Sequence, residues 1–328
     1  MFPRRALPLL LAPVPALAQT RPATGPWRGF NLAVTEQAPP GGADSRRSLR
    51  LMQSLGADSV AVMPFLWQES PAATAVVRGG DSPDALVAAG IRQAREMGLR
   101  VFVKPKLWVQ GAAPGAIAPA NDAAWRGWFA AYTQALLPLA RLAQEAGAEA
   151  FSIGQAIRGA TARPEWREVI QALRGAFRGR LTYVAADTEE AEAFPHWPLL
   201  DAVATRIFRP LGPDDRPQEW AAPMQREVER LERLEARTRK KIWVAELGIR
   251  SAAGAAMNPA SDRASVPDPR VQAEALARWL RRLDRPAIEG LFLWRWFTDP
   301  ARGGAADTDY TVQNKLAEGV LLHAWAAR

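Results

Sequence analysis

Ser82-Pro83-Asp84-Ala85-Leu86-Val87-Ala88-Ala89-Gly90-Ile91-Arg92-Gln93-Ala94-Arg95-Glu96-Met97-Gly98, with the Val101-Phe102-Val103-Lys104 that follows, is one complete helix–strand unit. Ser82 and Pro83 stand in the favoured cap-then-proline order, the helical pattern runs to Met97, and Gly98 stops it. Val101–Lys104 is too short and too rich in β-branched and aromatic residues to continue a helix, so it reads as a strand.

The same unit recurs in both directions. Upstream are a first strand at Arg28–Val34, a helix at Ser45–Leu55 with Leu49, Leu51, Met52 and Leu55 on its stripe, and a second strand at Ser59–Met63. Downstream, Asn121 or Asp122 caps a long helix that ends at Ala146 before Gly147. Strands follow at Ala150–Ile153, Leu181–Ala185, Ala202–Ile207, Ile242–Ala245 and Gly290–Trp294. Helices at Pro164–Phe177, Gln218–Arg239, Pro269–Leu283 and Lys315–Trp325 complete the alternation. Short strands that are apolar on both faces belong to a parallel sheet covered by helices. Eight units in 328 residues predict an α/β fold, a single (β/α)₈ barrel, rather than an open doubly wound sheet. No glycine-rich phosphate fingerprint follows the first strand, which argues against a dinucleotide site. The longest irregular stretches, Leu66–Asp81, Lys106–Ala120, Ser251–Asp268 and Phe297–Asn314, each follow a strand. They are therefore expected at the C-terminal mouth, where barrel enzymes carry their sites.

Residues 1–18 read as an export signal: Arg4 and Arg5, an apolar run Leu7–Val14, then Ala16-Leu17-Ala18 before Gln19. The barrel is expected over residues 19–328, in a periplasmic or secreted protein. The paired arginines leave both general and twin-arginine export open. There is no cysteine, which excludes thiol catalysis and disulfides, and His196 and His323 are the only histidines, which argues against a histidine-rich metal site. No cofactor or metal is expected. Net charge is +8, or +6 (8 − 2) without Arg4 and Arg5. Much of the excess is arginine on helices, such as Arg278, Arg281 and Arg282, and no nucleic-acid signature accompanies it. No apolar run approaches the roughly 20 residues of a membrane span. Thirteen tryptophans supply a core and, for some of them, faces on which a sugar ring can lie.

Glu246 is the sharpest candidate for chemistry. It follows the strand Ile242–Ala245 and precedes Leu247-Gly248, so its carboxylate is expected in the mouth. A retaining glycosidase needs such a carboxylate as nucleophile and a second one about 5 Å away as acid. The competing reading is a salt-bridged glutamate at a strand end.

Several segments resemble, in order, those of family 113 glycoside hydrolases, which are retaining β-mannanase-like barrels. They are Trp27-Arg28-Gly29-Phe30-Asn31, Val62-Met63-Pro64-Phe65, Lys104-Pro105, Ile153-Gly154, Trp166-Arg167-Glu168-Val169-Ile170, Leu181-Thr182-Tyr183 and Ala245-Glu246-Leu247-Gly248, with the tail Trp294-Arg295-Trp296 and Asp307-Thr308-Asp309-Tyr310-Thr311. The resemblance covers most of Trp27–Trp325 and implies that Glu246 is the nucleophile. It also implies an acid/base glutamate after the fourth strand, in Ile-Gly-Thr-Glu-Leu. Here that segment is Ile153-Gly154-Gln155-Ala156-Ile157, so Ala156 holds the acid/base position, with a glutamine beside it. An alanine transfers no proton, and losing a general acid costs typically 10²–10⁴-fold in rate.

Two further departures sit at mouth positions. Lys106 replaces the histidine of Lys-Pro-His, and Arg206 replaces the aspartate of Asp-Ala-Tyr. Together with Arg209 and Arg295 they would make the cleft more positive than a mannanase cleft and suited to an anionic glycan. The other reading is that some of these side chains point away from the mouth. Asn31, Trp67, Lys104, Lys106, Gln155, Arg206, Trp294 and Trp296 are expected to bind substrate, and Trp108 to line the cleft beside them. Trp243, within a strand, reads as core. Glu69, Asp187, Glu189, Asp299, Asp307 and Asp309 are the loop carboxylates that could replace the missing acid.

Three functions compete. The first is a glycosidase with a displaced acid, acting on a cell-envelope or extracellular polysaccharide. The second is a catalytically silent barrel that binds such a polysaccharide during assembly or export. The third, an aldolase or isomerase, would need a phosphate site or metal cluster, and neither is visible in the sequence.

Overall fold

The computed structural model describes residues 25–80, 82–261 and 265–325; the export signal falls outside them. Eight parallel strands close a barrel in the order β1 (Trp27–Ala33), β2 (Ser59–Val62), β5 (Arg100–Val103), β7 (Ala150–Gln155), β8 (Arg180–Ala185), β9 (Val203–Ile207), β10 (Ile242–Leu247) and β11 (Ile288–Phe297), which pairs back to β1. Helices α1 (Ala43–Ser54), α2 (Asp84–Glu96), α3 (Asp122–Ala146), α4 (Trp166–Ala176), α5 (Thr188–Ala193), α6 (Ala221–Thr238), α7 (Pro269–Leu283) and α8 (Ala317–Trp325) follow the strands in turn. The fold is the (β/α)₈ barrel that the alternation implies.

Local signals behave as their chemistry dictates, with one exception. Asn121 caps α3 by accepting from the Ala124 amide at 3.0 Å, and Gly147 ends it at φ 89°, in the left-handed region where glycine carries no side-chain penalty. Asp268 caps α7 ahead of Pro269. Ser82 does not cap α2, whose N-cap is Pro83. Its hydroxyl instead accepts from the Phe65 amide at 3.2 Å and ties that strand down.

Two apolar layers result. The outer one lies between strands and helices. The inner one fills the barrel, with Trp27, Phe102, Trp243 and Phe292 interdigitating with Ala61, Ala150, Ala204 and Ala245. Trp27 and Trp243 lie 4.8 Å apart, and Phe102 meets Trp243 edge-on at 5.3 Å. A Cβ on Gly290 would meet the Trp243 ring at 2.8 Å, so this strand position has room only for glycine. The aromatic plug fills the barrel below and leaves its polar layer at the strands' C-terminal ends.

The loops after β2 and β5 are not irregular. They contain β3 (Phe65–Gln68), β4 (Val77–Arg78) and β6 (Lys106–Val109), which form a separate sheet in the order β4-β3-β6. Phe65 pairs with Lys106 and Trp67 with Trp108. Leu66, Gln68, Leu107 and Val109 turn inward and are buried, so Phe65, Trp67, Lys106 and Trp108 share the outer face. The sheet is a ledge beside the mouth. Its sequence signal is a repeat, Pro64-Phe65-Leu66-Trp67 and Pro105-Lys106-Leu107-Trp108, each with period-two burial.

Candidate functional site

Three strand ends carry a register shift where they reach the mouth. In the β1–β11 pair it lies at Phe30–Leu32, with the extra residue on β11 opposite Asn31; in β7 it lies between Ser152 and Gln155, and in β10 between Val244 and Glu246. A bulge adds a residue on one strand and re-aims the side chains there. The residues affected are Asn31, Gln155 and Glu246, and they meet. The Asn31 amide donates to the Ala245 carbonyl at 2.9 Å and to the Leu293 carbonyl at 3.2 Å. Lys104 Nζ, at the end of β5, lies 3.5 Å from the same Ala245 carbonyl and 2.5 Å from Glu246 Oε1. Gln155 Nε2 donates to that same Oε1 at 2.7 Å. Arg206 Nη1, from β9, lies 3.7 Å from Glu246 Oε2.

Glu246 is thus both held and neutralised. It is 2% exposed, and burial alone would raise its pKa. Lys104, Arg206 and Lys106, with the hydrogen bond from Lys104, overturn that and hold it at about 2. Lys104 is wholly buried, and the loss of hydration brings its ammonium down to about 8 despite the carboxylate beside it. Lys106 is also lowered, first by burial and then by Arg206 and Arg295, while Glu246 opposes. Its ammonium lies 5.1 Å from the Trp294 ring centre, and Lys104 Nζ lies 5.9 Å from it. The buried carbonyl oxygens of Asn31 and Gln155 accept from no side chain or backbone group. A hydroxyl donor in the mouth would satisfy either.

Ala156 follows Gln155 in the left-handed region, at φ 54°, with its amide donating to Val184 O at 2.8 Å. Its side chain carries no proton. The loop carboxylates have duties elsewhere. Asp187 caps α5 and pairs with Arg158. Glu189 pairs with Arg209 and Arg230. Asp299 caps a turn through the Ala301 amide. Asp307 binds Lys315 at 2.7 Å and Asp309 binds Arg295 at 2.5 Å, so the two tie down the loop after β11. Glu69 is exposed on the ledge side.

Of the residues expected in the site, Asn31, Lys104, Gln155, Arg206 and Glu246 converge directly, and Lys106 and Trp294 stand beside them. Trp67 lies on the ledge, 5.9 Å from Trp108. Trp296 is not in the cleft. It is fully buried, donates to Ser48 Oγ at 2.8 Å and packs on Phe30 at 5.0 Å, because the extra residue that β11 carries between Leu293 and Trp296 breaks the alternation and turns it into the core behind α1. Arg209 is likewise spent on Glu189 and Glu227, and Arg295 on Asp309.

The model of glycoside hydrolase family 113 matches residues 38–315 of the sequence. The chain belongs to this family. A solved complex of a family 113 β-1,4-mannanase is 25% identical with TM-score 0.80, covering 93% of this chain and 100% of that one. The family 113 β-mannanase of Alicyclobacillus acidocaldarius, solved with the ligand ManMIm, is 23% identical with TM-score 0.79, covering 92% and 98%. A β-glucuronidase from Ruminococcus gnavus shares only the fold, at 14% identity and TM-score 0.60, with 50% of that chain covered. No curated protein matches the sequence. Among the described residues no helix is long and apolar enough to cross a membrane, and no three His, Cys, Asp or Glu side chains are placed to hold a metal.

Proposed function

We propose that this family 113 barrel binds a polysaccharide in its mouth without hydrolysing unactivated glycosidic bonds. The observation that carries the reading is the pairing of Glu246 with Lys104 and Gln155, with Ala156 next to Gln155 in the chain. Retaining hydrolysis needs a free carboxylate to attack the sugar and an acid to protonate the leaving oxygen. Here one oxygen of the nucleophile-like carboxylate already accepts two donors, and its low pKa marks a weakly basic, poorly nucleophilic group. At the acid position stands a methyl group. Asn31, Lys104 and Gln155 would hold sugar hydroxyls, with Glu246 as acceptor and orienter of its neighbours.

Residues 1–18, read as an export signal, support a ligand in the cell envelope or outside the cell. Intact mass of protein from the periplasm should give Gln19 as the first residue; an uncleaved cytoplasmic chain would remove this part of the reading. Calorimetric titration with β-1,4-mannotetraose tests the binding itself. A saturable isotherm that Glu246→Gln weakens supports it, and no heat at millimolar sugar, together with none for an acidic analogue, overturns it.

A further inference from the structure

Five cations are candidates for an anion site at the mouth, and the structure separates them. Arg209 and Arg295 are neutralised by their own carboxylates. Lys104 is consumed by Glu246. Arg206 meets only the far oxygen of Glu246, at 3.7 Å, and donates through Nε to the Ala186 carbonyl, leaving its side chain a quarter exposed. Lys106 has no carboxylate within ion-pair distance among the described residues, and its ammonium rests against the Trp294 ring. Lys104, Lys106 and Arg206 around one carboxylate leave the mouth two positive charges in excess.

Lys106 is also the first residue of β6, the ledge strand that follows β5. On the ledge's outer face it stands in line with Trp108, which is 47% exposed, while Phe65 and Trp67 run alongside on β3. Strand alternation puts Lys106 and Trp108 on the same side, two residues and roughly 6–7 Å apart. That is close to the length of one pyranose unit in a β-1,4 chain. Trp108, with Trp67 beside it, offers a half-exposed aromatic face next to a lysine that no carboxylate pairs, a surface suited to a sugar ring.

We propose that the ledge and the mouth together form a groove for an acidic oligosaccharide, with a hexuronate carboxylate held by Lys106 and Arg206 and the next sugar ring lying on Trp108. The inference rests on the saccharide-binding reading above and specifies its ligand class. Trp294 keeps the Lys106 ammonium in position through its ring face. Glu246 neutralises Lys104, so the charge left in excess is that of Lys106 and Arg206, which one or two carboxylates balance. A neutral hexose offers a C6 hydroxyl where the uronate offers a carboxylate, so it leaves Lys106 and Arg206 uncompensated.

The test is calorimetric titration of the full barrel with two tetrasaccharides that differ only at C6, β-1,4-mannotetraose and β-1,4-linked tetramannuronate. The uronate should bind about tenfold or more tightly at low salt, since a charge-assisted hydrogen bond replaces a neutral one. Its advantage should shrink as salt rises. Lys106→Gln should erase the preference by weakening the uronate far more than the neutral sugar, as the charged contact is made only by the uronate. Trp108→Ala, at an exposed position where folding is not at stake, should weaken both ligands about tenfold. Equal affinity for the two sugars, or a preference that survives Lys106→Gln, overturns the acidic-ligand inference and leaves saccharide binding standing. Unchanged affinity in Trp108→Ala removes the ledge from the groove. Binding of neither sugar overturns this inference and the reading beneath it together.

Discussion

Lys104→Met breaks the buried pair at the centre of the mouth, and its cost can be worked from both partners. Glu246 falls from 4.5 to about 2 and Lys104 falls from 10.5 to about 8. Each change corresponds to roughly 3 kcal/mol at 1.36 kcal/mol per tenfold. The signs oppose: the cations favour the ionised Glu246 in the fold, whereas burial disfavours the charged Lys104. Their mutual attraction is contained in both figures and is counted twice in the sum, so the pair as a whole is no net source of stability. Removing one partner is another matter, because it strands a buried charge. Without Lys104, Glu246 keeps Gln155 and Arg206, which places the loss near the lower end of the usual range, about 3 kcal/mol. Glu246→Gln should cost less, about 1–2 kcal/mol, because a lysine already brought so low sheds its proton for little. The double variant should lie within about 1 kcal/mol of wild type. Urea unfolding at pH 7 of all four proteins closes the cycle. If the double variant loses the sum of the singles, the two side chains act independently and the pair is not the unit described. If it is as stable as wild type, the pair is kept for what it does in the mouth, not for the fold.

Three further outcomes follow from the same geometry. Ala156→Glu adds a carboxyl at a position already in the left-handed region, so it brings no new backbone penalty; cleavage of an unactivated β-mannan should rise about 10²-fold, the low end for a general acid because the surrounding cations keep the new group ionised, and an unchanged rate in a folded variant would show that Ala156 is not where the acid is missing. Acid should weaken the fold through Glu246: its contribution is complete above the ordinary carboxylate value of 4.5 and is lost as pH falls towards about 2, so the stability gap between wild type and Glu246→Gln should narrow across that window, and a constant gap would contradict it. Trp296→Ala should cost about 3–5 kcal/mol as a core truncation, measured by chemical unfolding, whereas a loss below about 1 kcal/mol would return Trp296 to the cleft.

The barrel was legible because its signals are local. Caps such as Asn121, stops such as Gly147 and short apolar strands repeat eight times, and each repeat needs only neighbouring residues to be read. Glu246 was legible for a related reason, being a carboxylate directly after an apolar strand. What it touches was not. Asn31, Gln155 and Glu246 converge through register shifts in three different strands, and a shift depends on how a strand pairs with neighbours far off in sequence. Trp294 and Trp296 are two residues apart and would share a face in a regular strand, so their separation into mouth and core hangs on the extra residue that β11 carries against β1. The pairing of Arg209 and Arg295 with loop carboxylates is long-range in the same way, and it decides which cations remain for a ligand. The ledge could have been read, since Pro64-Phe65-Leu66-Trp67 and Pro105-Lys106-Leu107-Trp108 match in pattern, but four-residue strands outside the main alternation carry little periodicity.

The central claim is that this mouth holds saccharide without cutting it. The direct measurement is mass-spectrometric product analysis after prolonged incubation of the wild-type protein with β-1,4-mannotetraose and β-1,4-linked tetramannuronate, beside an aryl β-mannoside with an acidic phenol leaving group. Both tetrasaccharides should be recovered intact, because no group protonates the leaving oxygen, while the aryl glycoside, which needs no such proton, turns over slowly at most and only with Glu246 present. Mono- and disaccharide products accumulating from either tetrasaccharide at the rate of an ordinary glycosidase would contradict the account and would assign the acid to one of the loop carboxylates, with Glu69 the first to replace.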